Sequence, residues 1–388
     1  MTTAFKQPTR WQRLRPLVQG YDGGLLLAAL LLALLGLVTM YSAGYDHGTR
    51  FVDHLRNMGI AAVIMFTVAQ VPPHRLMRMA VPLYVAGVAL LVAVALFGIT
   101  KKGATRWLNV GVAVIQPSEI LKIAMPLMLA WWFQKCESQR GQLQRADFWV
   151  AAALLLVPFL LVASQPDLGT AILVLSAGFF VIFFAGLSWL LIWPVALIGL
   201  LGVGLLIGFS DAICEPGVDW QVLREYQKHR VCTLLDPTTD PLGKGFHIIQ
   251  GMIAIGSGGA FGKGFMQGTQ THLEFIPERT TDFIFAAFSE EFGLVGVLTL
   301  LGCFGFLLLR GLLIAASAPT LFSRLLAAAV TLSLFTYMFV NIGMVSGMLP
   351  VVGVPLPFIS YGGTAMVSLG LALGLLLAVA RSRGLMQR

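Results

Sequence analysis

Ten stretches of mainly apolar residues, at roughly 23–42, 55–71, 77–99, 116–133, 148–163, 168–186, 188–208, 283–309, 325–346 and 358–380, constrain this chain more than any other feature. A helix needs about 17 to 25 such residues to cross a hydrocarbon core about 30 Å thick, so each run predicts one spanning helix. The 388 residues are 57% hydrophobic and only 11% charged, too little charge to cover a soluble protein of this length. The expected fold is an all-α integral membrane protein. It is a single polytopic domain over 1–388, with about ten transmembrane helices and one long extracytoplasmic loop. The first run is long and lacks the short apolar core and cleavage site of a signal peptide, so it reads as a helix. No internal repeat suggests inverted halves.

Charge asymmetry orients the bundle. With the N-terminus in the cytoplasm, segment 1–21, the tail 381–388 and the loops on that side together hold 14 of the 26 Lys and Arg residues, against five (Arg50, Arg56, Lys101, Lys102 and Arg106) in the short outer loops. That bias satisfies the positive-inside rule and places the long loop, residues 210–282, outside. The net charge of +8 then serves insertion and contact with anionic lipid. No basic, aromatic-interleaved domain suited to nucleic acid is present.

The 73 residues from Ser210 to Asp282 form the one long water-compatible segment. Within it, Phe246–Ile255 is apolar but too short to span, which predicts a helix lying at or dipping into the outer interface. The glycine-rich stretch Gly256–Gly264 resembles a nucleotide loop only superficially. A P-loop would require Gly at 257 and Ser or Thr at 264, where Ser257 and Gly264 stand. HExxH and GxSxG are absent, and six scattered histidines form no metal-ligand cluster. Cys214 and Cys232 share this loop, either as a disulfide or as two half-buried thiols; Cys136 and Cys303 have no evident partner.

Polar residues at membrane depth are costly and need partners. Glu119 and Lys122, three apart on one helix face, predict an ion pair that is either structural or part of a substrate cavity. Asp167 opens the sixth helix, where an acid commonly caps the dipole. Arg106 and Trp107 stand in the second outer loop, Trp107 as an interfacial anchor and Arg106 as a candidate phosphate ligand. The segment Gly347–Thr364 is rich in proline and glycine. It is either an outer turn or a broken, re-entrant stretch, tolerated at depth where it faces protein or a polar cavity; Ser360 lies within it. Asp282 sits where the long loop re-enters the membrane, and by local rules reads as a helix cap.

Taken in order, Lys102-Gly103-Ala104-Thr105-Arg106-Trp107, Gln116-Pro117-Ser118-Glu119 with Lys122, and Gln165-Pro166-Asp167-Leu168-Gly169-Thr170 resemble one family, the SEDS proteins. The likeness continues through His229-Arg230-Val231, Leu235-Asp236-Pro237, Ala254-Ile255-Gly256-Ser257-Gly258-Gly259, Pro277-Glu278 with Thr281-Asp282-Phe283, and Pro357-Phe358-Ile359-Ser360-Tyr361-Gly362-Gly363-Thr364. The Gly-Ala-Thr-Arg-Trp wording is closer to the RodA branch than to the FtsW branch. Thr280 departs from the family's usual His. The resemblance implies a ten-helix peptidoglycan glycosyltransferase of the bacterial inner membrane that polymerises lipid II during cell-wall elongation. It implies a class B penicillin-binding protein as partner, together with other elongation-complex proteins. It also makes Asp282 the essential acid, and Arg106, Glu119, Lys122, Asp167 and Arg230 structural or cavity-lining.

The expected reaction is an inverting transfer in which a lipid diphosphate departs, so one carboxylate, Asp282, suffices as base. Arg106, Arg230, Lys244, Lys263 and Arg279 are outer-side cations available to the diphosphate, and Ser360 is a candidate lining residue. No cofactor is required. A divalent cation, magnesium or manganese, is compatible with the chemistry, although the sequence shows no dedicated cage. Two other classes remain open at this point: a lipid II flippase, and a non-catalytic scaffold of the elongation machinery.

Overall fold

The computed structural model describes residues 20–46, 48–101, 104–109, 114–165, 167–214, 218, 225–240, 243–276 and 278–386. Lys6, Arg10, Arg13, Arg15, Lys102, Pro166, Pro277, Arg388 and the side chains of Lys101, Lys244 and Arg383 lie outside the described residues.

Ten helices coincide with the ten apolar runs. They are α1 (Gly23–Ala43), α2 (Arg50–Val68), α3 (Pro73–Phe97), α4 (Pro117–Arg140), α5 (Arg145–Ser164), α6 (Leu168–Phe184), α7 (Trp189–Gly208), α12 (Ile284–Ala316), α13 (Leu321–Val345) and α14 (Gly363–Met386). Eight are long and apolar enough to cross a membrane unaided. Of the other two, α6 has 17 residues and α4 carries charge along its length. Capping explains most boundaries. Asp22 accepts from the Leu25 N–H at 2.8 Å, Gln144 and Asp147 form a reciprocal capping box, and Pro73 and Pro117 occupy first-turn positions whose N–H would be unpaired anyway.

α13 and α14 are the most enclosed spans. α13 packs against α4, α6 and α12, while α14 lies along α2. Between them, residues 349–362 run without helix yet bury Val354, Leu356, Phe358, Ile359 and Ser360, so this is a re-entrant stretch rather than an outer turn. By contrast, α7 buries no side chain at all.

One element was not foreseen. The second outer loop folds into a three-stranded antiparallel sheet of β1 (Ile99–Lys101), β2 (Ala104–Asn109) and β3 (Val114–Ile115). Strands this short, continuous with the end of a spanning helix, carry too little alternation to read from sequence.

The long loop holds α8 (Ser210–Cys214), α9 (Glu225–Leu235), a 3-10 turn at Pro237–Thr239, α10 (Lys244–Ser257) and α11 (Thr269–His272). Cys214 and Cys232 are joined in a disulfide, which ties α8 to α9. The apolar helix α10 packs against α12 and α13. The Asp236 side chain accepts from the Thr238 hydroxyl and N–H, which holds its carboxyl below the usual range.

Past α10, the glycine-rich stretch docks backbone to backbone on a break in α12. Gly293 there has φ +61°, and the helical ladder is interrupted around it. The Lys263 and Gly264 N–H groups donate to the Glu290 and Glu291 carbonyls, both at 3.0 Å, and the Leu294 and Val295 N–H groups donate to the Gly259 and Ala260 carbonyls at 2.9 and 3.1 Å. Gly258 and Gly262 in this stretch therefore serve close backbone approach to α12. At Gly262, with φ +79°, an added Cβ would collide with the Glu291 backbone.

Gly262→Ala is expected to destabilise the protein by at least about 1–3 kcal/mol, read as a lowered thermal midpoint in detergent. Gly256→Ala, in open space inside α10, serves as the control and should leave the midpoint unchanged or raise it. Alkylation of denatured, unreduced protein should label only Cys136 and Cys303; prior reduction should add two labels, and four labels without reductant would rule out the disulfide.

Candidate active site

Asp282 lies two residues before the first turn of α12, and its main chain is held from one side. Three successive carbonyls each accept a hydrogen bond: Thr280 O from the Tyr361 N–H at 2.8 Å, Thr281 O from the Ser360 hydroxyl at 2.7 Å, and Asp282 O from the Asn341 amide at 3.0 Å. The same Asn341 amide donates to Val354 O at 2.7 Å, tying Asp282 to the re-entrant stretch. A Cβ on Gly353 would lie 3.3 Å from a carboxylate oxygen of Asp282, so that carboxylate faces the 353 backbone. Asp282 is half-buried. It does not hold the cap position that local rules suggest: Phe283 does, and the Phe283 side chain accepts no capping hydrogen bond.

A second layer fixes the residues around it. The Arg50 guanidinium donates to the Thr280 hydroxyl at 2.6 Å and lies over the Tyr361 ring at 4.9 Å. Arg279, 4% exposed, donates to Ala43 O at 3.0 Å and pairs with Asp46. Glu290 is fully buried. Its carboxylate accepts from the Lys263 ammonium at 2.7 Å, from the Gln270 and Thr271 N–H groups at 2.9 and 3.1 Å, and from the Thr271 and Thr269 hydroxyls at 3.0 and 3.2 Å. Glu291 accepts from the Ser42 hydroxyl. The loop ending in Asp282 is thus pinned to α1, α2, α12, α13 and the re-entrant stretch.

Deeper in the bundle, Lys122 and Glu119 pair at 2.6 Å, with Ser368 donating to Glu119 at 2.9 Å and Tyr337 presenting its ring 5.3 Å from the Lys122 ammonium. Lys122, Tyr337, Ser368 and Ser360 line one cavity together with Pro355–Phe358. Its volume is about 50 Å³, room for a few waters but not for a sugar. Asp167 caps α6 through the Thr170 N–H at 3.2 Å, accepts from the Gln116 amide at 3.0 Å, and faces Arg106 at 3.5 Å. Gly169, on the first turn of α6, abuts Val352 O, so the Asp167 cluster and Asp282 flank the same stretch, 352–354.

The remaining expected site residues are placed less centrally. Lys263, expected to be available to a diphosphate, is engaged by Glu290, and Arg279 is enclosed with Asp46. Burial forces both cations to neutralise carboxylates. Both hydrogen-bonding capacities of Ser360 are used structurally, toward Thr281 O and from the Leu356 N–H. Arg230 stands half-buried on α9, next to His229, which faces Asp240 at 4.0 Å. Lys244 opens α10, and its side chain lies outside the described residues. Among the described residues, no group of three or more His, Cys, Asp or Glu side chains could hold a metal ion.

Sequence reasoning passed over Asn341, Arg50, Tyr361, Glu290 and Glu291. The signal was present for three of them: an amide in the ninth apolar run and paired acids in the eighth are polar groups at membrane depth. Arg50 and Tyr361 carry no comparable mark.

Residues 24–384 match the family model of FtsW, RodA and SpoVE, cell cycle proteins. The chain is 46% identical to the peptidoglycan glycosyltransferase MrdB of Escherichia coli K12 over 389 residues, covering 100% of both. It is 33% identical to the peptidoglycan glycosyltransferase RodA of Treponema pallidum, covering 93% of this chain and 98% of that one. Among solved structures, a chain of a peptidoglycan synthase complex that coordinates polymerisation and crosslinking superposes with a TM-score of 0.74 at 34% identity, covering 94% of this chain and 99% of that one. The rod shape determining protein RodA of Thermus thermophilus superposes with a TM-score of 0.68 at 28% identity, covering 94% and 98%.

Because removing one partner strands a buried charge, Glu119→Gln and Lys122→Met should each cost about 3 kcal/mol of stability, and the double variant less than either. Additive losses in a thermal-unfolding cycle would show that the two side chains are not coupled. Glu290→Gln should raise hydrogen exchange across residues 263–272, since an amide N–H₂ would face backbone donors that the carboxylate now satisfies.

Proposed function

Since the chain belongs to the FtsW, RodA and SpoVE family and is a peptidoglycan glycosyltransferase, we propose that it polymerises lipid II at the outer face of the bacterial inner membrane, with Asp282 as general base. It is a multi-pass membrane protein. In the orientation that positive charge favours, both termini are cytoplasmic and Asp282 is extracytoplasmic.

The 4-hydroxyl of an acceptor sugar attacks the anomeric carbon of a lipid-diphosphate donor. Its proton passes to the Asp282 carboxylate, the new glycosidic bond forms with inversion, and the carbon–oxygen bond to the diphosphate breaks. Diphosphate leaves as a stable anion, so no general acid is needed. Arg106 and Arg230 are the cations assigned to that anion, with Arg able to grip phosphate through two N–H groups. A divalent cation, magnesium or manganese, would arrive with the diphosphate as part of the substrate. Glu119, Lys122 and Asp167 keep the cavity wall polar and in register.

The observation that carries the assignment is the main-chain clamp. Thr280, Thr281 and Asp282 are held through their carbonyls, which fixes the backbone that carries the Asp282 side chain. Preorganisation of this kind is how a lone base contributes its rate factor. The small volume beside Lys122 favours sugar binding at the outer mouth, next to Asp282 and stretch 352–354, rather than inside the bundle. A class B penicillin-binding protein is the partner proposed, in line with the synthase complex that contains a similar chain. The catalytic activity of the curated relatives argues against a flippase or a passive scaffold.

Asp282→Asn keeps the side-chain volume and the main-chain contact of residue 282, so the variant should stay folded yet lower lipid II polymerisation by about 10²- to 10⁴-fold in detergent with the partner transpeptidase present. A normal rate from the folded variant would remove Asp282 from the chemistry.

A further inference from the structure

The largest cavity described lies at the end of the bundle opposite Asp282. It measures about 650 Å³, within the range of small-molecule sites. Its wall is built where α2 turns into α3, where α4 ends, and where α13 begins. Pro72, His74 and Met77 come from the first, Trp131, Gln134, Lys135 and Ser138 from the second, and Thr320, Phe322 and Ser323 from the third.

The wall combines two chemistries. Met77, Trp131, Phe322 and the prolines make most of it apolar, while Lys135, His74 and several hydroxyls supply polar groups. No Asp or Glu lines it. Lys135 is exposed, with its ammonium 5.0 Å from the centre of the Trp131 ring, and it takes part in no ion pair among the described residues. Acids at this end are otherwise committed: Asp22 to Arg310, Asp147 to Arg140, and Glu137 to the Gln134 amide. Arg75, Arg78 and Arg324, next in sequence to lining residues His74, Met77 and Ser323, are exposed at the same end of the bundle. First turns of α3 and α13 contain no acid, so neither terminus opposes an anion.

A soluble anion would gain little from so apolar a wall, and a neutral lipid little from so positive a rim. We propose that this cavity binds an anionic phospholipid, its phosphate beside Lys135 and the upper part of an acyl chain along Met77, Trp131 and Phe322. The site is independent of the glycosyltransferase chemistry. Its identification with the cytoplasmic leaflet rests on the orientation proposed above.

Native mass spectrometry of the full-length protein in detergent, titrated with phosphatidylglycerol or phosphatidylcholine, tests the site. A single retained phosphatidylglycerol adduct is expected, favoured over phosphatidylcholine, with about fivefold weaker binding in Lys135→Glu. Arg145→Glu removes a charge from the same end but outside the cavity wall, and should bind like the parent. Ser138→Trp fills the mouth from an exposed position that should not impair folding, and should also weaken binding. No preference for phosphatidylglycerol would overturn the proposal, as would equal losses in Lys135→Glu and Arg145→Glu, which mean diffuse surface attraction. Displacement by millimolar inorganic phosphate would overturn the lipid assignment in favour of a free-anion site.

Discussion

The break in α12 at Gly293 is the constraint on which the half of this protein around Asp282 depends. An interrupted helix leaves main-chain donors and acceptors without partners, and in a buried position each unmet group costs about 1–3 kcal/mol. Here the segment Gly259–Gly264 supplies those partners, with N–H groups entering one side of the break and carbonyls the other. Helix and loop are therefore stable only together. That seam lies about three turns beyond Asp282, on the helix that Asp282 precedes, and it closes the loop back on that helix.

Around the seam, burial decides what each charge does. Glu290 sits at the break with no exposure and collects five hydrogen bonds from a single loop, whereas Glu291 turns the other way, to Ser42 on α1. Adjacent acids thus tie the loop and the first helix to the same point. Arg279 does the converse, a buried cation reaching the end of α1 through Ala43 O and Asp46. Truncating one member of such a pair is costly because it leaves the other in a low-dielectric setting, and so these contacts fix position more than they add net stability.

Much of the membrane architecture was legible because hydrophobic length is a coarse signal that tolerates errors of several residues. All ten spans, the Glu119–Lys122 pair and the buried, proline-rich stretch after α13 follow from apolar runs, helical spacing and the high cost of charge at depth. The outer half was less legible, since there the decisive contacts are between main-chain atoms. Nothing in the residue types of Gly256–Gly264 names its partner as a helix break more than thirty residues on. Asp282 misled for a related reason. An acid just ahead of an apolar run matches the pattern of a cap, but the chain makes its first turn one residue later and uses the Asp282 carbonyl instead. Asn341, which holds that carbonyl, looks in sequence like one polar residue in a spanning helix.

Four cations, Lys263, Lys122, Arg279 and Arg106, can be ranked by what they would have to release. Lys263 and Lys122 hold their acids at 2.7 and 2.6 Å, and Arg279 is enclosed with Asp46; an incoming diphosphate would have to strip each from a carboxylate it satisfies. Arg106 differs. It stands 3.5 Å from Asp167, is about one-third exposed, and shares that acid with the Gln116 amide and the Thr170 N–H. If Arg106 turned away, Asp167 would keep two donors and its place at the α6 terminus, so moving this guanidinium toward a phosphate costs the least of the four. The Asp167 cluster adjoins the 352–354 backbone that the Asp282 carboxylate faces from the other side. A donor whose diphosphate meets Arg106 would then have its anomeric carbon near Asp282, with the re-entrant stretch setting the distance between them.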